Sequence, residues 1–304
     1  MLLLCRALRR ICAAGRPPSR SLMDLRELVP ALNDFASLSL AESWDNVGLL
    51  VEPSPPHAVR TLLLTNDLTE QVMEEAVQKN ADLVLSYHPP IFAPLKRVTW
   101  RTWKERLVVR ALEHRIGIYS PHTAYDAVPH GVNNWLSKGL GETLQNKTTL
   151  VAVTLSQLSH SNLNFFSPQP LLPRTGMGRL CTLSEPASLS DVIERIKSHL
   201  KLPHVRLAMG TGKTLDSPVK KAALCAGSGS SVLKGMEADL YLTGEMSHHD
   251  ILDAVANGIS VILCEHSNTE RGFLSELCDM LTVHLQNKIN IILSEKDKDP
   301  LQVV

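Results

Sequence analysis

The sequence predicts an α/β protein of two related lobes, each with a mostly parallel mixed sheet covered by helices. Short apolar runs alternate with segments of helical periodicity, and this alternation occurs before residue 141 and again after residue 172. A length of 304 residues corresponds to about two typical domains. The chain contains 44% apolar and 20% charged residues, a composition that can form a buried core and is not typical of disorder.

The first lobe is predicted over residues 23–140. Its apolar runs, which are typical of buried parallel strands, are 61–65 (TLLLT), 81–86 (ADLVLS) and 116–120 (IGIYS). Asp67 precedes Glu70 by three residues, which resembles a capping box and predicts a helix after it. A second helix is predicted over 102–114, so that strands and helices alternate.

The second lobe is predicted over residues 173–304. It begins with a helix at 189–200, whose apolar side chains recur at helical spacing. Four strand-like runs follow: 205–210 (VRLAMG), 220–227 (KKAALCAG), 238–244 (ADLYLTG) and 259–264 (ISVILC). Between the lobes, residues 141–172 are rich in Thr, Ser, Asn and Gln. We predict an irregular connector there, with one strand around 150–155.

Residues 1–22 form a separate tail with five arginines and no acidic residue. This composition is typical of a mitochondrial presequence, and the alternative is a disordered tail. Initiation at Met23 would give a cytoplasmic form with access to the nucleus.

The composition argues against several classes of protein. Lys and Arg together number 31, as do Asp and Glu, which disfavours a globally basic nucleic-acid binder. No apolar run approaches the ~18 residues of a membrane-spanning helix. The six cysteines form no C-x-x-C pair, so a thiolate zinc cluster or a redox dithiol is not expected, and a reducing compartment fits.

Imidazole and carboxylate side chains follow four of the predicted strands, where α/β sheets collect their ligands. They are His88 after Tyr87; His122 and Asp126; Glu245, His248, His249 and Asp250; and Glu265, His266 and Glu270. Any one of them alone is more typical of a helix cap. Together they predict a divalent metal site of the Zn, Mn, Fe, Ni or Mg type, and a carboxylate at Glu270 could bridge two ions.

Two further segments carry alternatives. The loop that contains Gly227, Ser228, Gly229 and Ser230 could present backbone N–H groups to an anion, or could be a tight turn with serine caps. Residues 96–115 carry a net charge of +5 with Trp100 and Trp103 among them. They could attract a phosphorylated substrate or nucleic acid, but we favour a solvated helix face whose tryptophans pack inward.

Six separated motifs carry a family resemblance: ESWDNVGLLV, TNDLTEQV, SYHPPIF, PHTAYDAVPHGVNNWL, TGEMSHHD and CEHSNTERG. The chain resembles the Nif-three-like family, and its vertebrate branch most closely, over about 24–140 and 173–304. The resemblance implies two lobes around a cleft with up to two divalent metal ions. It also implies a homodimer, assembled in bacterial members into hexamers. Some bacterial members carry the name GTP cyclohydrolase I type 2.

The resemblance also implies a ligand set. The family's metal ligands fall on Tyr87, His88, Asp126, His266 and Glu270, and the family's nearby histidines fall on His122 and His249. Tyr87 replaces a histidine, and a phenol with a pKa of about 10 is a poor ligand. We therefore expect one metal position to be weakened, or rebuilt with a nearby histidine. The connector is a second departure, because long members carry a small domain there.

These observations lead to three hypotheses. The first is a metal-dependent hydrolase for a small phosphorylated or heterocyclic substrate, with Glu270 as its catalytic and bridging carboxylate. The second, implied by the resemblance, is a transcriptional co-regulator or interaction scaffold that binds a transcription regulator or a signalosome subunit through a structural or vestigial metal site. The third is metal storage or chaperoning.

Overall fold

The computed structural model describes residues 22–142, the backbone of 148–149, and 175–304. The strands are β1 Met23–Asp24, β2 Gly48–Val51, β3 Ala58–Val59, β4 Thr61–Thr65, β5 Leu83–Ser86, β6 Gly117–Ser120, β7 Thr148–Thr149, β8 Arg179–Ser188, β9 Arg206–Ala208, β10 Pro218–Ser228, β11 Leu240–Glu245, β12 Ser260–Leu263 and β13 Asn290–Leu293. The helices are α1 Leu25–Phe35, α2 Glu70–Gln78, α3 Trp103–Glu113, α4 Thr123–Ala127, α5 Val132–Ser137, α6 Leu189–Leu200, α7 Ser230–Leu233, α8 His248–Ala256 and α9 Phe273–His284. The strand predicted around 150–155 lies outside the described residues, as does the tail up to residue 21.

The first sheet has the strand order β13-β4-β5-β6-β2. Four of its strands are parallel, and β2 is antiparallel to β6 at one edge. The edge strand β13 comes from the end of the chain, where Ile291 pairs with Leu62 of β4. The segment assigned from the sequence to the second lobe therefore contributes one strand to the first sheet.

The second sheet has the strand order β7-β8-β10-β11-β12-β9. Its centre is the parallel set β10, β11 and β12, and the flanking strands β8 and β9 are antiparallel to it. The α/β class with mixed sheets is thus confirmed, although this sheet is less parallel than predicted. A short antiparallel pair, β1 with β3, lies apart from both sheets.

Both sheets are covered on both faces, which explains why their strands are continuous apolar runs. Side chains alternate between faces along each strand. Leu62 and Leu64 of the first sheet and Leu224 and Leu242 of the second belong to one shared core together with α1, α5, α6 and α9. The opposite faces pack against α2 and α3 in the first sheet and against α7 and α8 in the second. The shared core brings the two sheets together.

Two local predictions were wrong. The cap of α2 is Thr69, whose hydroxyl accepts a hydrogen bond from Val72 N, and not Asp67. Trp100 and Trp103 do not pack inward, because 58% and 44% of their surfaces are exposed. The buried side of α3 consists instead of smaller aliphatic side chains: Leu107, Val108 and Ala111.

The structure also bears on the cysteines and on membrane-spanning helices. Within the described part of the chain, Cys181, Cys225, Cys264 and Cys278 are not joined in disulfides, and the first three are buried. None of the helices in the described part of the chain has the length and apolar character needed to cross a membrane.

The shared core predicts a measurable loss of stability. Leu85 is fully buried between the sheets, so Leu85→Ala should lower the free energy of unfolding by about 2–5 kcal/mol through lost burial and a cavity. Urea unfolding measures this difference. Leu112→Ala, at a site 47% exposed on α3, is the matched control and should change it by less than about 0.5 kcal/mol. Equal effects of the two substitutions would contradict the shared core.

Candidate metal centre

Two histidines from different sheets meet at a buried carboxylate. His88 follows β5 and His266 follows β12, and their ring centroids lie 5.2 Å apart. His88 Nε2 is 3.3 Å from Glu270 Oε2, and His266 Nε2 is 3.3 Å from Glu270 Oε1. The donor atoms of the three side chains lie within 4.8 Å of one another. Two imidazole nitrogens and a carboxylate form a donor set suited to a divalent ion.

Each of the two histidines is oriented by a second carboxylate. His88 Nδ1 lies 2.9 Å from Asp67 Oδ1, and His266 Nδ1 lies 3.1 Å from Glu245 Oε2. Metal-binding histidines commonly have this arrangement, because a carboxylate at one ring nitrogen fixes the ring and makes the other nitrogen a better ligand. In both residues Nε2 is the nitrogen that faces Glu270. The side chains therefore fit a metal ion, as the sequence predicted for His88, His266 and Glu270.

The carboxylates of the centre are held in turn by a polar network. Asn66 Nδ2 donates to Glu270 Oε2 at 3.2 Å, and the Asn66 backbone N–H donates to Asp297 Oδ2 at 2.7 Å. Arg271 lies between two acidic residues, with its Nη2 3.6 Å from Asp67 Oδ2 and its Nε 3.2 Å from Asp297 Oδ1. The segment after β13 thus supports the carboxylate behind His88.

Gly227 forms a wall of the centre that no other residue could form without displacement. A Cβ atom at this position would lie 2.6 Å from Glu270 Oε1 and 2.9 Å from His266 Nε2. Gly227 also has a φ of +65°, which disfavours other residues. Its N–H donates to Thr269 Oγ1 at 2.8 Å, and the Thr269 hydroxyl donates to the carbonyl of His266 at 2.7 Å.

Several polar groups of the loop at 227–230 are hydrogen-bonded to other parts of the protein. Besides Gly227, the Gly229 N–H donates to the Glu245 carbonyl at 3.3 Å. The Ser230 hydroxyl accepts a hydrogen bond from Ser247 N at 3.2 Å. Ser228 lines the cavity next to the centre. An anion-binding role for this loop stays a prediction.

The charges of the centre are strongly coupled. Burial lowers the pKa of His88 and of His266, but the hydrogen bonds to Glu270 and to the carboxylates at Nδ1 outweigh it, raising the pKa of His88 to about 10 and that of His266 to about 9. Burial raises the pKa of Glu270, yet the two imidazoles hold it well below its usual value. A metal ion would therefore have to displace protons from the two imidazoles.

Tyr87 and Asp126 form a pair of their own beside this group. The fully buried phenol of Tyr87 donates a hydrogen bond to Asp126 Oδ1. Burial and the neighbouring carboxylates raise the pKa of Tyr87 well above its ordinary value. Burial also raises the pKa of Asp126 to about 6, against the opposing hydrogen bond from Tyr87. The structure therefore brings both predicted residues to the centre, but it places them outside the group formed by His88, His266 and Glu270.

The remaining predicted histidines have different positions. His122 lines the same cavity, its ring centroid is 5.3 Å from that of His88, and its Nδ1 lies 2.8 Å from Asp45 Oδ1. His122 is thus paired with a carboxylate through Nδ1, as His88 and His266 are. His249 is exposed at the start of α8, where its ring contacts His248, and the geometry gives it no place among the ligands.

Sequence reasoning missed two of the carboxylates that orient these histidines. Asp67 was interpreted as a helix cap, although it follows β4 as directly as His88 follows β5, and the strand-end criterion would have found it. Asp45 carries no such signal. It lies in a turn before β2 and reaches His122 only in the folded chain, where its carboxylate also accepts a hydrogen bond from the Thr123 N–H at 3.2 Å.

A cavity of about 640 Å³ opens above the centre. Its floor carries His88, His122, Asp126, His266 and Glu270. This volume lies in the range of pockets that enclose small molecules.

Comparisons with known proteins identify the family and the fold of the chain. A family model described as Duf34/NIF3 (NGG1p interacting factor 3) matches residues 23–300. The human NIF3-like protein 1 is 59% identical over an alignment of 354 positions, which covers 94% of this chain and 94% of that protein. The Saccharomyces cerevisiae NGG1-interacting factor 3 is 36% identical, over 92% of this chain and 96% of that protein. The crystal structure of the Staphylococcus aureus hypothetical protein SA1388 has a TM-score of 0.75 at 26% identity, covering 93% of this chain and 99% of that chain.

The human alignment spans more positions than this chain has residues, so that relative contains residues which this chain lacks. That these residues form a domain inserted at the connector stays a prediction.

The close approach of Gly227 predicts a loss of metal affinity on substitution. Gly227→Ala would place a methyl group against Glu270 and His266, and we expect it to weaken Zn²⁺ binding by about 10–100-fold, the effect typical of changes around metal ligands. Competition with a fluorescent chelator measures the affinity. Gly212→Ala is the matched control, because Gly212 has a φ of +76° with no atom within 4 Å of the added methyl. Similar losses in both variants would point to backbone strain instead.

The charge coupling predicts how the stability of the metal-free protein depends on pH. The folded-state pKa values of His88 and His266, about 10 and about 9, lie above the unfolded value of about 6.5. Their stabilising contribution is therefore complete below pH 6.5 and is lost as the pH rises through 9 to 10. Urea unfolding of chelator-treated protein should show the free energy of unfolding falling from about pH 6.5 to about pH 10.

A double variant, His88→Gln with His266→Gln, is the control for that experiment. It should show a flatter dependence over the same range, because it lacks the two raised groups. An unchanged slope in the double variant would assign the pH dependence to other residues.

Proposed function

The chain belongs to the Duf34/NIF3 family, and we propose that it is a divalent-metal-dependent hydrolase acting on a small phosphorylated or heterocyclic substrate. The observation that carries this proposal is the pair of carboxylate-oriented histidines that share Glu270 on the floor of a cavity of small-molecule size. His88, His266 and Glu270 would hold the ion. When bound there, it would lower the pKa of a water molecule towards neutrality and polarise the substrate.

The protein's own residues support this chemistry in distinct ways. Asp67 and Glu245 keep each Nδ1 engaged, so that Nε2 of each histidine remains directed at the centre. Asn66 donates to Glu270 Oε2, which limits rotation of the carboxylate.

Asp126 is the candidate for proton transfer. Asp126 lines the cavity, and burial raises its pKa to about 6. A general acid or base is most efficient when its pKa lies near the pH at which the enzyme operates. Tyr87 donates to one of the Asp126 oxygens and orients the carboxylate. His122, held by Asp45 through Nδ1, presents its ring to the cavity and can bind an anionic group of the substrate.

The proposal is tested with Glu270→Gln. This change keeps the shape of the side chain but removes its charge, so we expect the metal bound per chain to fall to background and hydrolysis to be lost. Plasma mass spectrometry of protein purified without chelators measures the metal, and a panel of phosphate esters and heterocycles measures turnover. His249→Gln is the control and should change neither. A variant that loses its metal but keeps full turnover would refute metal-dependent hydrolysis.

A second candidate function is protein interaction. The yeast relative is named NGG1-interacting factor 3, which supports an interaction with another protein. We propose the role of a transcriptional co-regulator or scaffold as the form that this interaction takes. Under this proposal, Glu270→Gln would leave capture of a transcription regulator intact. Metal storage, the third hypothesis, differs from catalysis in that the bound ion would exchange freely and no substrate would be turned over.

A further inference from the structure

We propose that Trp44 and Phe92 form a stacking platform that binds a flat aromatic or heteroaromatic ring of the substrate at the mouth of the cavity. This inference rests on the proposed function, because it names the substrate class that the same cavity accepts. It assigns specificity to two residues with no part in holding the metal ion.

The two rings are exposed and lie beside the centre. Trp44 is 59% and Phe92 is 47% exposed, and both line the cavity of about 640 Å³. Their ring centroids lie 5.9 Å apart, and they are 6.0 Å and 6.3 Å from the ring of His122. Single exposed apolar side chains are common, but two adjoining aromatic rings at the mouth of a polar cavity are typical of a binding surface.

The loop that carries Trp44 is fixed on both sides of that residue. Glu42 N donates to Thr123 Oγ1 at 3.0 Å, and Asp45 N donates to the Glu42 carbonyl at 3.0 Å. Asn46 Nδ2 donates to the carbonyl of Ile91, the residue before Phe92, at 2.5 Å. These bonds hold the backbone of both aromatic residues in place, so a ligand would meet a prepared surface and little ordering would be needed on binding.

The cavity has a largely apolar part beside its ionisable centre. Pro89, Met177 and Val232 line it together with the two aromatic residues, and Glu42, from the same loop as Trp44, adds one carboxylate. His88 and His266 lie at Glu270. A ligand matched to both parts has a flat apolar ring and a polar group that reaches the centre. Aromatic rings favour offset-stacked and edge-to-face contacts, and these two rings, whose planes are tilted by 58°, offer a flat ligand one contact of each kind.

Trp103 provides a matched comparison. It is 44% exposed and lines a second cavity that also reaches His88 and His266, but it is not among the residues that line the cavity of Trp44 and Phe92. The ammonium group of Lys104 lies 5.5 Å from the indole centroid of Trp103. If the platform alone binds the ring of the ligand, replacing Trp103 should not change the preference for a ligand that carries an aromatic ring.

The test compares two probes that differ only in the ring: adenosine monophosphate and ribose phosphate. Isothermal titration calorimetry on the metal-loaded protein should show adenosine monophosphate binding at least about tenfold more tightly. Trp44→Ala should remove this preference without changing the affinity for ribose phosphate. Trp44→Phe should keep most of the preference, and Trp103→Ala all of it. Phe92→Ala should lower it.

Three results would overturn the platform: equal affinity of the wild type for both probes, a similar loss for both probes in Trp44→Ala, or the same loss in Trp103→Ala. If Trp44→Ala instead changed the sedimentation coefficient and left the preference intact, the rings would be a contact between copies of the chain. Metal content is measured on the same samples, so that absence of metal in the wild type would count against the proposed function separately from the ring preference.

Discussion

The buried carboxylate of Glu270 is the constraint on which the rest of the site depends. A charge that is 4% exposed is costly to bury unless it is paired and hydrogen-bonded. Its partners, His88 and His266, come from different sheets, and Asn66 adds a third contact. The pairing therefore requires the two sheets to approach each other closely, and the shared core between them is what allows it.

The polar residues around the centre extend this dependence to the end of the chain. Because β13 joins the first sheet beside β4, the segment that follows it returns to the centre, and Asp297 contacts both Asn66 and Arg271. Ser267, within the turn that connects His266 to Glu270, donates to the carboxylate of Asp299 in the same segment. The ligand loop is thus held between the carboxyl end of β12 and the C-terminal segment, and this arrangement limits the motion of its carboxylate.

The hydrogen bond between Tyr87 and Asp126 is the second feature that shapes the site. The buried phenol donates its proton to a hydrogen bond with Asp126, and the compact donor set consists of the two histidines and Glu270. The strong rise in the pKa of the phenol has a simple origin in burial, followed by the neighbouring carboxylates. Burial likewise raises the pKa of Asp126 to about 6.

The sequence alone determined the α/β class, the central strands of both sheets, the helices α2, α3 and α6, and a set of candidate ligands that includes His88, His266 and Glu270. Apolar periodicity and the residues after each strand are local features. Only the tertiary structure decided which strand ends meet, which carboxylate orients which histidine, and which aromatic rings stay exposed. Asp45 and His122 are 77 positions apart, and β13 pairs with a strand more than two hundred residues earlier. Such contacts depend on how sheets pair and pack, and no local pattern records them.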